Sequence, residues 1–130
     1  MLVTGWKSPG TCDNVDRDGK AAWADYDNAK TPNDVRTICN VGANTYGNWL
    51  RLTNFGFATP ADIPAGQTIS GIEVSIERQG GGFLNNLVIR DSAPFLRKTS
   101  GQVGTNKASA LYWPKSVDTT WIYGGQSDLW

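Results

Sequence analysis

The stretch 72–77 constrains the fold more than any other part of the chain, because aliphatic β-branched and polar residues alternate strictly along it. The aliphatic set is Ile72, Val74 and Ile76, and the polar set is Glu73, Ser75 and Glu77. Because successive side chains leave opposite faces of a strand, this pattern predicts a half-buried β-strand rather than a helix. One face of such a strand needs an apolar partner layer, so we predict an antiparallel β-sandwich.

The composition as a whole also favours an all-β chain. Fifteen glycines and six prolines are typical of many short strands that are joined by tight turns. Further strands are predicted at 2–6, 21–23, 35–39, 49–55, 84–90, 93–98 and 119–123, with a polar loop at 12–20. At 130 residues the chain is predicted to form a single domain, 1–130.

Charge and residue usage argue against several classes of function. Twelve Lys and Arg residues balance twelve Asp and Glu residues, and no basic patch interleaves with aromatic residues, so neither nucleic acid nor an anionic membrane is a predicted partner. No apolar run approaches the ~20 residues of a membrane-spanning helix. The chain has no histidine, and it lacks a nucleophile–base pattern and a phosphate-binding glycine loop. We therefore predict a protein that is not an enzyme.

Two glutamates on the alternating strand are the nearest thing to a catalytic carboxylate pair. Glu73 and Glu77 share a strand face, which places their Cα atoms ~13–14 Å apart. Glycosidase carboxyl groups lie ~5–10 Å apart. The pair is therefore interpreted as part of a solvent-facing row.

Two cysteines leave two alternatives open. Cys12 and Cys39 are candidates for a disulfide. By closing a loop of this size, it would stabilise the folded protein by ~3 kcal/mol if the geometry fits. Such a bridge would place the protein outside a reducing cytosol. The alternative is a pair of small buried thiols.

An Asp-rich segment resembles the beginning of a calcium-binding loop. Asn14, Asp16 and Asp18 supply oxygen atoms at positions one, three and five, Gly19 lies at position six, and Asp25 falls at position twelve. The apolar residue at position eight, the bidentate Glu at position twelve and the helical flanks are lacking. The pattern favours a solvated turn over a calcium site, so no cofactor is predicted.

Six tryptophans are unusual for this length and suggest either core filling or binding. For the strand residues Trp23, Trp49 and Trp121, core filling is favoured. Those near turns and chain ends are predicted subunit-contact residues, together with a leucine that looks like the start of another strand; the set is Trp6, Trp113, Leu129 and Trp130. An apolar patch left uncovered at the last two residues would call for a neighbouring copy.

Four motifs, in this order, resemble a family of β-sandwich proteins that tailed bacteriophages and prophages encode. They are Leu-Arg-Leu-Thr-Asn-Phe-Gly-Phe at 50–57, Ile-Pro-Ala-Gly-Gln-Thr-Ile-Ser-Gly-Ile-Glu-Val at 63–74, Val-Gly-Thr-Asn-Lys-Ala at 103–108 and Tyr-Gly-Gly-Gln-Ser-Asp-Leu-Trp at 123–130. The resemblance covers roughly 23–130. It implies a jelly-roll-like sandwich and a structural, decoration, tail or fibre protein of a virion.

The resemblance also implies partners and a location. Members of this family continue past the Leu-Trp pair with further strands, so it implies either a fragment or a sandwich that a strand from a neighbouring subunit completes. The expected partners are other copies of the chain or other virion proteins, and the expected location is the virion or the extracellular space. Two alternative functions remain: a subunit of an extracellular fibril, and a carbohydrate-binding module that stacks exposed Trp residues on a glycan.

Overall fold

The protein is all-β, as its sequence predicts. The structure, a computed structural model, describes residues 3–58, 60–81 and 88–130. Within these ranges the strands are Thr11–Val15 (β1), Trp23–Ala24 (β2), Ile38–Cys39 (β3), Trp49–Thr53 (β4), Ile72–Arg78 (β5), Leu96–Lys98 (β6), Gly101–Val103 (β7) and Thr119–Gly125 (β8). A short 3₁₀ helix covers Tyr26–Lys30.

The strands pair as four antiparallel two-stranded sheets within the described residues: β1 with β4, β2 with β3, β5 with β8, and β6 with β7. The chain divides into two compact units, Met1–Gln67 and Thr68–Trp130, which are described separately below. The sandwich and the single domain 1–130 stay predictions.

In the first unit, β1 and β4 pair over their full length, from Thr11 opposite Thr53 to Val15 opposite Trp49. The prediction of a loop over 12–20 is therefore wrong for its first four residues. The segment 11–15 has low strand propensity, but cross-strand pairing to the apolar β4 overrides local preference. Cys12 is buried on this strand.

The strand predicted at 35–39 is shorter in the structure, because only Ile38 and Cys39 pair, with β2. The described part of the strand predicted at 2–6 has no strand structure. Most of the strand predicted at 84–90 lies outside the described residues, as does residue 2.

The second unit is built on the pairing of β5 with β8, which runs from Ile72 opposite Gly125 to Arg78 opposite Thr119. Along β5 the three aliphatic residues are partly buried and the three polar residues between them are exposed, which confirms the predicted alternation. Directly opposite residues share a sheet face. The inward set thus continues across the sheet to Trp121 and Tyr123.

Candidate interaction surface

The last residue of the second unit is covered by its own chain. Trp130 is 9% exposed, and its indole Nε1 donates a hydrogen bond of 3.1 Å to the carbonyl oxygen of Ile72. The amide of Thr105 donates to the carbonyl oxygen of Trp130 at 2.9 Å. The expectation of an uncovered indole at Trp130 is therefore wrong, and this residue is not retained as a subunit contact.

Asp128 holds the turn that brings Trp130 back onto β5. Its carboxylate accepts a hydrogen bond from the Trp130 amide at 2.7 Å and pairs with Lys107 Nζ at 2.8 Å. Its carbonyl oxygen accepts from the Ile72 amide at 2.9 Å. The hydrogen bonds from Lys107 and from the Trp130 amide hold the pKa of Asp128 below its usual value.

Glycines at two of these contacts permit the close approach. A Cβ at Gly71 would collide with the backbone of Gly125 and Gln126, and one at Gly104 would collide with Trp130. At Gly56, by contrast, a Cβ would meet open space, and a φ of +67° explains the glycine instead.

The structure thus brings together three of the four motif segments that carry the resemblance. Residues 68–74, 103–108 and 123–130 contact one another through the bonds just described. These motif residues build the fold of the second unit.

A buried polar cluster lies on the inward face of the same sheet. Arg78 Nη1 lies 2.6 Å from Asp91 Oδ1, and the two side chains are 2% and 3% exposed. The hydroxyl of Tyr123 accepts from Arg78 Nη1 at 2.6 Å and donates to Asp91 Oδ1 at 2.9 Å. Sequence reasoning missed this cluster, although Arg78 is the next inward position after Ile76.

Two further donors converge on the same carboxylate. The indole Nε1 of Trp113 donates to Asp91 Oδ1 at 2.7 Å, and the Ser109 amide donates to Asp91 Oδ2 at 2.8 Å. The hydrogen bond to Asp91 places Trp113, a predicted subunit-contact residue, in the polar cluster, where its side chain is half-buried. The Arg78 guanidinium also lies 4.6 Å from the ring centroid of Trp121, while its Nε has no hydrogen-bond partner among the described residues.

Burial raises the pKa of both acids of the cluster, whereas the hydrogen bond between them lowers the pKa of Asp91 and raises that of Tyr123. Burial alone would raise the pKa of Asp91, but hydrogen bonds from Ser109, Trp113, Tyr123 and Arg78 hold it below its usual value. Burial first, and then the bond to Asp91, raise the pKa of Tyr123 well above its ordinary value. The Arg78 and Asp91 side chains are thus excluded from solvent, and both oxygens of the Asp91 carboxylate accept hydrogen bonds within the chain.

The second unit also has an apolar groove of about 430 Å³. Its apolar lining is Ile69, Ile72, Leu96, Val103 and Leu129, and two cations, Arg97 and Lys98, complete it. Leu129 is 58% exposed here, so this predicted subunit-contact residue does face solvent. Contiguous apolar surfaces with a polar rim are typical of protein interaction sites.

Comparison with protein-family models, with curated proteins and with solved structures finds no match. The resemblance to bacteriophage virion proteins therefore stays a prediction. Among residues 3–58, 60–81 and 88–130, no helix has the length and apolar character needed to cross a bilayer.

The two cysteines lie in the first unit as free thiols. Cys12 is buried, and the Cys39 Sγ lies 3.4 Å from the carbonyl oxygen of Ala21. Burial raises the pKa of both thiols. Of the two alternatives drawn from the sequence, the structure therefore contains the unbridged one.

The oxygens of the calcium-loop candidates make separate local contacts. Asn14 Oδ1 accepts from the Trp23 amide at 2.9 Å, and Asp16 Oδ1 accepts from the Gly19 amide at 3.3 Å. Asp18 and Asp25 have positive φ angles of 54° and 50°. In the part of the chain that the structure describes, no group of three or more Asp, Glu, Cys or His side chains is arranged to hold a metal ion.

All six tryptophans lie in the described ranges, and their exposure differs sharply. Trp6 is 65% exposed, whereas the three strand tryptophans are half-buried.

In the first unit the guanidinium of Arg17 lies against the rings of Tyr46 and Trp49, at 3.8 and 4.0 Å from their centroids. Sequence spacing alone did not indicate this stack.

Proposed function

We propose that this chain is a structural protein of a phage-like virion or appendage, without enzymatic activity, and that it acts by self-association. The sandwich that the resemblance implies is part of this proposal. The observation that carries it is the apolar groove of the second unit, in which Leu129 faces solvent beside Arg97 and Lys98. A surface of this kind is stabilised when a neighbouring molecule covers it.

The contacts among the motif segments also support the proposal. If the resemblance holds, the motif residues should build the framework of the fold, and those near Trp130 and Ile72 do lie in such framework contacts. Because the indole of Trp130 is covered, the proposed contact retains Leu129 and the groove around it and leaves Trp130 out.

The test is the mass of the protein in solution over a wide concentration range, by analytical ultracentrifugation, with electron micrographs of the assembled material. We expect oligomers that dissociate on dilution. A well-folded protein that stays monomeric at every accessible concentration would overturn the proposal.

A matched pair of variants locates the contact. Leu129→Asp is expected to weaken association, because it places a charge in the groove. Leu111→Asp is the control, since Leu111 lies in the same unit, is 59% exposed and does not line the groove. Equal effects of the two changes would argue against a contact at Leu129.

A carbohydrate-binding function is the second candidate, and exposed Trp6 is the observation that favours it. An exposed indole can stack on the apolar face of a sugar ring. Binding on a glycan array that is lost in Trp6→Ala would support this function, and the absence of binding to any glycan would remove it.

A further inference from the structure

The second unit carries unpaired charges of opposite sign on two separate surfaces. Arg97 and Lys98 are exposed at the apolar groove, and Glu73 and Glu77 are exposed on β5. Among the described residues, none of these four side chains takes part in a salt bridge. They are therefore available to charges on another molecule.

The acidic surface has its own apolar centre. Glu73, Ser75 and Glu77 leave the outward face of the β5–β8 sheet, and Ile122 lies directly opposite Ser75, so it shares that face. Ile122 is exposed. The outward face thus presents an aliphatic side chain between two carboxylates whose Cα atoms lie ~13–14 Å apart.

The two surfaces lie on opposite sides of β5. The groove includes Ile72, which belongs to the inward set of the strand, whereas Glu73 and Glu77 belong to the outward set. One molecule therefore cannot bring its own carboxylates to its own groove through this sheet. A second copy can.

We infer that the outward face of the β5–β8 sheet of one copy docks on the groove of the next, with Glu73 and Glu77 facing Arg97 and Lys98 and Ile122 against the apolar lining. This inference rests on the proposed self-association and specifies its contact. The two surfaces differ, so the contact is heterologous. Repetition of a heterologous contact produces either a closed ring or an open filament.

Charge reversal tests the contact without touching the buried side chains of the unit. R97E/K98E makes the groove acidic, and E73K/E77K makes the outward face basic; all four positions are exposed. Each variant alone is expected to associate at least about tenfold more weakly than the original protein, because like charges then oppose each other.

A mixture of the two variants gives the decisive result. The acidic groove of R97E/K98E is complementary to the basic outward face of E73K/E77K. The unchanged acidic face of R97E/K98E is likewise complementary to the unchanged basic groove of E73K/E77K. Mixing is therefore expected to restore assembly to within about twofold of the original, with a dependence on salt concentration.

A control separates this effect from the attraction of oppositely charged molecules. T31K/D34K/T45K adds the same net charge as E73K/E77K at exposed positions of the first unit. It is expected to associate like the original protein. When it is mixed with R97E/K98E, it should not restore the assembly of that variant, because its outward face is still acidic and cannot pair with the acidic groove. Circular dichroism verifies that each variant is folded.

The outcomes distinguish this inference from the function on which it rests. If the original protein is monomeric, the proposed self-association fails, and the inference fails with it. If the original protein assembles while either reversal leaves assembly unchanged, or if mixing restores nothing, the inference alone is overturned.

Discussion

The guanidinium of Arg78 and the carboxylate of Asp91 form an ion pair of 2.6 Å that is almost completely excluded from solvent. A buried pair of this kind depends on both partners, because the loss of one leaves a charge without compensation in a medium of low polarity. Asp91 also accepts hydrogen bonds from Trp113, Tyr123 and Ser109. Replacement of this one carboxylate is accordingly expected to disturb several contacts of the second unit at once.

Asp91→Asn is expected to lower the free energy of unfolding by about 3–5 kcal/mol, since it leaves the Arg78 charge buried and unpaired. The measurement is equilibrium denaturation in urea. Asp13→Asn is the matched control, because it breaks the exposed pair with Arg51 and is expected to cost less than about 1 kcal/mol. Similar losses in both variants would contradict the assigned role of burial.

Acid is expected to destabilise the protein through the same residue. The pKa of Asp91 is lower in the folded chain than its usual value, so the stabilisation is present above that usual value, ~4, and is lost as the pH falls through the folded-state pKa. Thermal melts between pH 6 and pH 2 measure this loss. A variant without the Asp91 carboxylate should show a shallower decline, and an unchanged decline would exclude Asp91 as its source.

Alkali is expected to act through Tyr123, whose pKa is raised by burial and by Asp91. Since the folded chain holds the phenol neutral, this contribution to stability is present below the ordinary tyrosine pKa of ~10 and is lost as the pH rises above it. Tyr123→Phe should reduce the slope of stability against pH above ~10. An unchanged slope in Tyr123→Phe would contradict this role of Tyr123.

Gly71→Ala is expected to destabilise the second unit by more than ~1 kcal/mol, because the added Cβ would collide with the backbone of Gly125 and Gln126. Backbone atoms of a paired strand cannot swing aside as a flexible side chain can. Gly81→Ala, where a Cβ meets nothing within 4 Å, is the control. Equal melting temperatures for the two variants would contradict the close approach at Gly71.

The cysteines are expected to remain free. Protein unfolded in guanidinium and alkylated without a reducing agent should gain two carbamidomethyl groups by mass spectrometry, one each on Cys12 and Cys39. In the native state, alkylation should be slow, because burial raises the pKa of both thiols and lowers the reactive thiolate fraction. A mass without added groups would instead demonstrate a disulfide.

The sequence predicted best where local pattern and tertiary environment agree. The alternation along 72–77 was sufficient to identify β5 and the side chains that it buries, because a period of two has one structural meaning. The strand predicted at 119–123, which is rich in β-branched and aromatic residues, is only slightly longer in the structure.

Prediction failed where contacts distant in sequence decide the outcome. Thr11–Val15 looks like a loop because its residues are polar, yet it is a strand through its pairing with Trp49–Thr53. Trp130 looked uncovered because the segment that covers it begins 58 residues earlier in the chain, at Ile72. Arg78 occupies the next inward position of β5 after Ile76, but a charged residue is not expected to be buried, so the sequence did not predict its burial.

The convergence of donors on Asp91 also has a consequence for the folding pathway of the second unit. The hydrogen bonds to this carboxylate span separations of 13 to 32 residues, from Arg78 to Tyr123. Chains whose contacts join distant residues fold slowly, because closing the long loops costs conformational entropy before the stabilising contacts can form. An intermediate that desolvated Asp91 before its donors arrived would be unstable, so we expect closure around this carboxylate to come late in folding.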